Sequence, residues 1–344
     1  MPGHGPAARG IAMPARPAAR AVSDAGAGRA SPGDEDEDRP MTSIERAGAT
    51  TAAGFRRGVA LLAAGAALWA TVGIASRYVS EMTPIDAPSI GFWRLAFAVP
   101  PIALLAWQRQ GRAAFHVADR RDLAVILAIG VAVAGYQTFY FAAVARAGVA
   151  MATLVTLCSA PVLVAAIAAL ALGERPGSRV AVAGAAAIAG TALLVGLPAG
   201  VDDRTRVLAG VAMAIGSAVS YAAFAVASRR LAGRYPPFQL IALGFGAGAL
   251  ILLPVALVRG LAIDHPPAAW AVLLYMGLVP TALAYWLFYT GLRHVSATVA
   301  GLVTLVEPLT ATLLARALFG ETLGPLGWAG AALLLAGLAV LSRP

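Results

Sequence analysis

The chain has 344 residues, of which 59 % are apolar and only 12 % charged, and its mean hydropathy is +0.77. An ordinary soluble domain carries about a quarter charged residues, so that class is excluded. The formal net charge is +9, all 26 basic residues are Arg, and the single cysteine, Cys158, leaves neither a disulfide framework nor a thiolate metal site.

Residues 1–55 hold six Arg and seven acids, including the acidic run Asp34–Asp38, among Ala, Pro and Gly. Without hydrophobic periodicity they read as a disordered cytoplasmic tail. No apolar core precedes Gly58, so no cleavable signal peptide is expected. Phe55-Arg56-Arg57 superficially resembles a twin-Arg signal and is read instead as the positive flank of a first membrane helix. Met41 offers an alternative start that would remove most of the tail.

Ten apolar segments follow, at about 58–78, 87–107, 122–144, 149–172, 179–197, 208–228, 238–258, 268–291, 296–319 and 324–341. Each approaches the ~20 residues that a spanning helix needs. The connections are mostly short, so sequential helices are expected as antiparallel neighbours, and only 108–121 and 198–207 read as polar loops. Gly244 and Gly248 form a small-xxx-small pair of the kind that lets helices approach closely, a weak sign of dimerisation in so Gly-rich a chain.

The second part of the chain repeats the first. A shift of 152 lays Gly58-Val59-Ala60 on Gly210-Val211-Ala212 and Ala75-Ser76-Arg77 on Ala227-Ser228-Arg229. A shift of 147 lays Arg146 on Arg293, Pro161 on Pro308 and Gly173-Glu174 on Gly320-Glu321. Two units result, 56–197 and 206–344, each with five spans; five is odd, so the second enters the membrane inverted. With a cytoplasmic N terminus, ten Arg fall in inside loops (Arg109, Arg112, Arg120, Arg121, Arg175, Arg179, Arg229, Arg230, Arg234, Arg293) and five in outside ones (Arg77, Arg146, Arg204, Arg206, Arg259). The positive-inside rule therefore places both termini in the cytoplasm.

Candidate functional residues are those that sit badly in lipid. Glu307 is the only carboxylate well inside a span, where it costs ~3 kcal/mol or more. It neutralises a cationic group, carries a coupling proton, holds a buried Arg, or is simply a hydrogen-bonded acid that fixes packing. Pro308 has no amide to give to the Thr304 carbonyl, which is then free to bind something else. Arg94, two turns into the second span, snorkels to the interface, anchors a carboxylate, or pairs with Glu307. Trp69 and Tyr221 coincide under the 152 shift at mid-span, away from any interfacial aromatic belt. Tyr136 with Tyr140 and Tyr285 with Tyr289 are i, i+4 pairs, and Gln137 adds an amide. Each alone is compatible with helix packing; together they suggest a ring-lined cavity with few polar groups. No span holds an HExxH, GxSxG or paired-carboxylate pattern, so an enzyme is not expected, and no metal or cofactor is called for.

At these residues the chain resembles the EamA-type family of the drug/metabolite transporter superfamily, over about residues 58–341. The resemblance is carried by Phe92-Trp93-Arg94-Leu95, by Ser159-Ala160-Pro161 running to Leu172-Gly173-Glu174-Arg175, and by Glu307-Pro308 running to Phe319-Gly320-Glu321. It implies an exporter of amino acids or related metabolites in the inner (plasma) membrane. The family pattern leaves the coupling open; proton exchange is one option. The tail lies outside the family pattern. The expectation is an all-α integral membrane carrier of ten transmembrane helices. It works by alternating access around a midplane cavity that takes a small-molecule substrate. Its partners are the lipid bilayer and a coupling proton, with no nucleic acid, and it is a monomer or homodimer. The alternatives are an integral-membrane enzyme and a non-transporting sensor.

Overall fold

The computed structural model describes residues 52–172, 178–195, 201–261, 263–295, 299–300 and 303–341. The expected tail up to residue 51 and the Gly173-Glu174-Arg175 motif lie outside these residues. Among the described residues the chain is helical, without strands. This is the solution open to a chain whose backbone must satisfy its own hydrogen bonds in lipid.

The helices are α1 (Ala52–Met82), α2 (Ala87–Gln110), α3 (Arg120–Ala147), α4 (Val149–Leu172), α5 (Ser178–Val195), α6 (Val201–Leu231) and α7 (Pro237–Val258). Next come α8 (Pro267–Gly277), a π-helical segment (Leu278–Leu283) and α9 (Ala284–Gly291), which run on as one helix, and then α10 (Val306–Phe319) and α11 (Pro325–Leu341). A 3₁₀ turn, Gly111–Phe115, follows α2. Among the described residues, seven helical stretches are long and apolar enough to cross a membrane; α5, α10 and α11 are shorter.

Local chemistry sets the helix starts. Asp86 and Asp119 cap α2 and α3 by accepting from the amides of Ser89 at 3.0 Å and Asp122 at 2.8 Å. Pro237 and Pro267 open α7 and α8, where a missing amide costs nothing. Outward-facing apolar side chains such as Ile188, Leu250, Leu313 and Val258 are exposed, as lipid-facing positions are.

Two expectations are corrected here. The stretch 201–207, expected as loop, belongs to α6, because the polar first turns carrying Asp202, Asp203, Arg204 and Arg206 project the helix beyond its apolar part. Sequential helices are also not the main neighbours. The most extensive packing joins α3 with α6 and α7, α5 with α11, α2 with α7, α4 with α6, and α1 with α9 and α10. Small residues make those approaches: Gly130 of α3 stands against Ala247 and Gly248 of α7, and Gly244 against Ile129. The Gly244/Gly248 stripe is thus spent inside the protomer.

Candidate functional site

The π-helical segment is the local feature from which the site is built. Pro280 cannot supply the amide that an α-helix would bring to the Met276 carbonyl, and the Thr281 hydroxyl donates to that carbonyl instead, at 2.8 Å. Thr281 Oγ1 is left with its lone pairs, and Arg94 Nε donates to it at 2.9 Å. Gly277 permits this contact, since its Cα lies against Phe97 and the Arg94 carbonyl of α2 where a side chain would not fit. Arg94 Nη1 donates to Gln137 Oε1 of α3 at 2.8 Å. The guanidinium is therefore clamped by two neutral acceptors from separate helices.

Arg94 is 5 % exposed, which rules out snorkelling. Nor does it pair with Glu307: the two are not within the 4.0 Å of an ion pair. Instead both line one cavity, with Trp69, Tyr136, Gln137, Tyr140, Tyr221 and Tyr285. A guanidinium has five N–H donors, so the two bonds above leave donors for a guest in that cavity.

The rings form a continuous chain around the space. Trp69 meets Tyr285 edge-on at 5.2 Å between centroids, Tyr285 meets Phe245 at 5.4 Å, and Phe245 meets Phe224 at 6.5 Å. Phe224 then meets Tyr221 at 6.0 Å, Tyr221 meets Tyr136 at 5.7 Å, and Tyr136 stacks on Tyr140 at 6.1 Å. Tyr140 is fixed by a 2.8 Å hydrogen bond between its hydroxyl and Thr153 Oγ1. Tyr289 stands outside the lining; it stacks on Tyr285 and packs against Phe238 and Phe288.

Glu307 does not sit in the middle of an unbroken span. It lies in the first turn of α10, after a turn at Thr304-Leu305, and its amide donates to the Thr304 carbonyl at 3.0 Å. The carbonyl expected to be free is thus occupied. A carboxylate at a helix N-terminus gains from the helix dipole, which partly offsets its burial.

Sequence reasoning passed over the apolar lining residues Val72, Val133, Leu157, Phe224 and Phe245, whose side chains look like any others in an apolar span. It also missed Thr281, although Pro280 immediately before it is a readable sign of a helix distortion. Asp122 is a buried carboxylate, 2 % exposed in the first turn of α3. It accepts from Tyr235 Oη at 2.6 Å and Arg234 Nη1 at 2.5 Å, both in the α6–α7 connection.

Comparisons with known proteins agree with this architecture. The EamA-like transporter family matches at residues 56–196 and again at 208–343. The transporter YwfM of Bacillus subtilis, named as uncharacterised, is 33 % identical over 278 residues, or 80 % of this chain and 90 % of that one. A probable terminal-alkyne amino-acid exporter of Streptantibioticus cattleyicolor is 34 % identical over 51 % of this chain and 58 % of its own. The threonine/homoserine exporter RhtA of Escherichia coli is 31 % identical over 38 % and 44 %. A crystal structure covering 84 % of this chain and 97 % of its own shares the fold, with a TM-score of 0.58 at 22 % identity. With seven membrane-length apolar helices and two family matches that together span most of its length, this multi-pass membrane protein belongs to the EamA-like transporter family.

Proposed function

We propose that the protein is a secondary transporter, working as an exporter of amino acids or related metabolites across the inner membrane. It alternates access around the Arg94/Glu307 cavity between two inverted five-helix halves, 56–197 and 206–344. Both termini, and with them the tail 1–55, are cytoplasmic.

The helix pairings support the two-half reading, because they map onto themselves when the halves are exchanged. α1 meets α9 as α6 meets α3, α1 meets α10 as α6 meets α4, and α2 with α7 and α5 with α11 are their own counterparts. The cavity follows the same rule: Trp69 touches Tyr285 as Tyr221 touches Tyr136. A site between such halves can be exposed to one side and then the other by rearranging them around it.

The observation that carries the substrate class is the clamped Arg94 facing the same ring-lined space as Glu307. One charge of each sign, not paired to each other, suits a small solute with a carboxylate and an amine. Two relatives named as amino-acid exporters point the same way. Glu307 is the group placed to carry a coupling proton.

Reconstituted protein tests the reading by flux of candidate amino acids. Arg94→Gln should lower uptake by about tenfold or more, from the loss of a charged hydrogen bond in a dry site, while monodisperse protein is retained. Alanine at Trp69, Tyr136, Tyr221 or Tyr285 should also reduce it. Glu307→Gln should abolish flux driven by a pH gradient, and, since it also removes the charge facing the amine, it should weaken substrate counterflow. Full transport by all of these variants would move the site elsewhere, and turnover of a metabolite without movement would favour a membrane enzyme.

A further inference from the structure

The Glu321 carboxylate joins three helices at one end of the bundle. Its Oε1 accepts from Arg77 Nη1 of α1 at 2.7 Å and from the Val149 amide at 2.9 Å; its Oε2 accepts from the Ala150 amide at 2.9 Å. Val149 and Ala150 open α4, whose first amides have no partner within the helix and attract negative charge. Gly148 makes the room: its φ is +83°, and a Cβ there would meet the carboxylate at 2.9–3.1 Å. The Arg77 guanidinium also lies over the Phe319 ring at the end of α10, 4.1 Å from its centroid.

The ends of α1, α4 and α10 thus converge on one side chain. Deeper in the bundle the same helices supply Val72, Leu157 and Glu307 to the cavity.

Two features make the tie reversible. The side chains of Arg77 and Glu321 keep 33 % and 17 % exposure, so water can replace what they lose. Arg77 also has a second acceptor in place, since its Nε donates to Glu81 Oε1 at 3.0 Å. Its charge is not stranded when Glu321 leaves.

We propose that Glu321 is the gating residue of this end. It holds α1, α4 and α10 together while the cavity is closed on this side, and it releases Arg77 and the α4 amides when this side opens. The gate's purpose rests on the transport reading above, whereas its test reads opening and not flux.

The test uses full-length protein in proteoliposomes, with Cys158→Ala and a reporter, Val72→Cys, on the cavity wall. A membrane-impermeant maleimide is added on the Arg77 side. Glu321→Gln should speed labelling by about tenfold, the effect of losing a charge-assisted contact. It should slow labelling from the opposite side as the population shifts. Glu81→Gln, which removes the second acceptor, should slow labelling from the Arg77 side below the parent rate. Unchanged labelling in Glu321→Gln would overturn the proposal, as would faster labelling in Glu81→Gln, which would mean that any loss of charge here merely loosens the bundle. Should Glu321→Gln not fold, Arg77→Gln breaks the same ion pair and is judged by the same outcomes. A parent that labels as described but moves no solute would sink the transport reading and leave the gate standing.

Discussion

Each end of the bundle is tied by a carboxylate that reaches between helices, and the two ties differ in kind. At one end Asp122 keeps only 3 % of its side chain exposed and accepts from the buried Tyr235 hydroxyl and from Arg234, which is half exposed and also bonds Asp119. At the other, Glu321 is 17 % exposed, and its partner Arg77 already has an alternative in Glu81. The counts of hydrogen bonds are similar. What differs is what remains after each breaks: at Asp122 the buried Tyr235 hydroxyl loses its acceptor, although Arg234 keeps Asp119, whereas at Glu321 every group left behind can be satisfied by water or a neighbour. Replaceability of partners, more than the number of bonds, decides which tie can open in a working cycle.

That contrast can be broken experimentally. The largest expected effect is at Asp122, where Asp122→Ala should cost about 3 kcal/mol, because it leaves the buried Tyr235 hydroxyl without its charged acceptor. It would be read as a lower melting temperature of purified protein in detergent. An equal loss in Glu321→Gln would remove the distinction between the ends. Gly148→Ala comes next, at about 1–3 kcal/mol, since it forces a side chain into a left-handed backbone and presses it against Glu321. The same melting measurement should show that loss shrink in a Glu321→Ala background, where the clash is gone.

The smallest effect is the pH response of the two N-cap carboxylates, one at each end. The amide of Asp122, and then Arg234, hold the Asp119 carboxyl below its usual range. Burial pushes the Asp86 carboxyl up, but the bonds from Ser89 and Arg259 outweigh it, so it too is held low. A group depressed on folding contributes its stability above the ordinary carboxylate range and loses it as pH falls through the folded value. Melting temperature should therefore stay level down to about pH 5 and decline below it. Asp119→Asn and Asp86→Asn should each flatten part of that decline, and a decline unchanged in both would place the acid sensitivity elsewhere.

Much of this was legible from hydropathy and spacing, which respond to short-range periodicity. Seven of the ten apolar stretches coincide with membrane-length helices, and eight of the nine proposed site residues line one cavity. What escaped involves pairs far apart in sequence or breaks within apolar runs. Asp122 sits beside Arg120 and Arg121 and reads as one more loop charge; its partner Tyr235 is 113 residues away. Gly244 and Gly248 signal close packing without saying onto what. The turn at Thr304-Leu305 lies inside a stretch as apolar as its surroundings, so nothing in its hydropathy reveals that Glu307 begins a helix. Arg94 was equally ambiguous, because its clamp depends on a bond to Thr281, 187 residues on.

The π-helical segment Leu278–Leu283 has a consequence for how the chain can change length. Elsewhere in a helix, losing one residue turns everything beyond it by about 100°, which in this span would swing Tyr285 away from the cavity. A wide turn holds one residue more than an α turn, so a deletion within it is absorbed by reverting to ordinary helix. The aromatic face beyond would keep its direction, and only the Thr281–Arg94 contact would be lost. The segment is the place in this span where a single-residue deletion could alter the charged anchor and leave the ring lining intact. Recognition of a charged group and recognition by the rings can therefore vary independently.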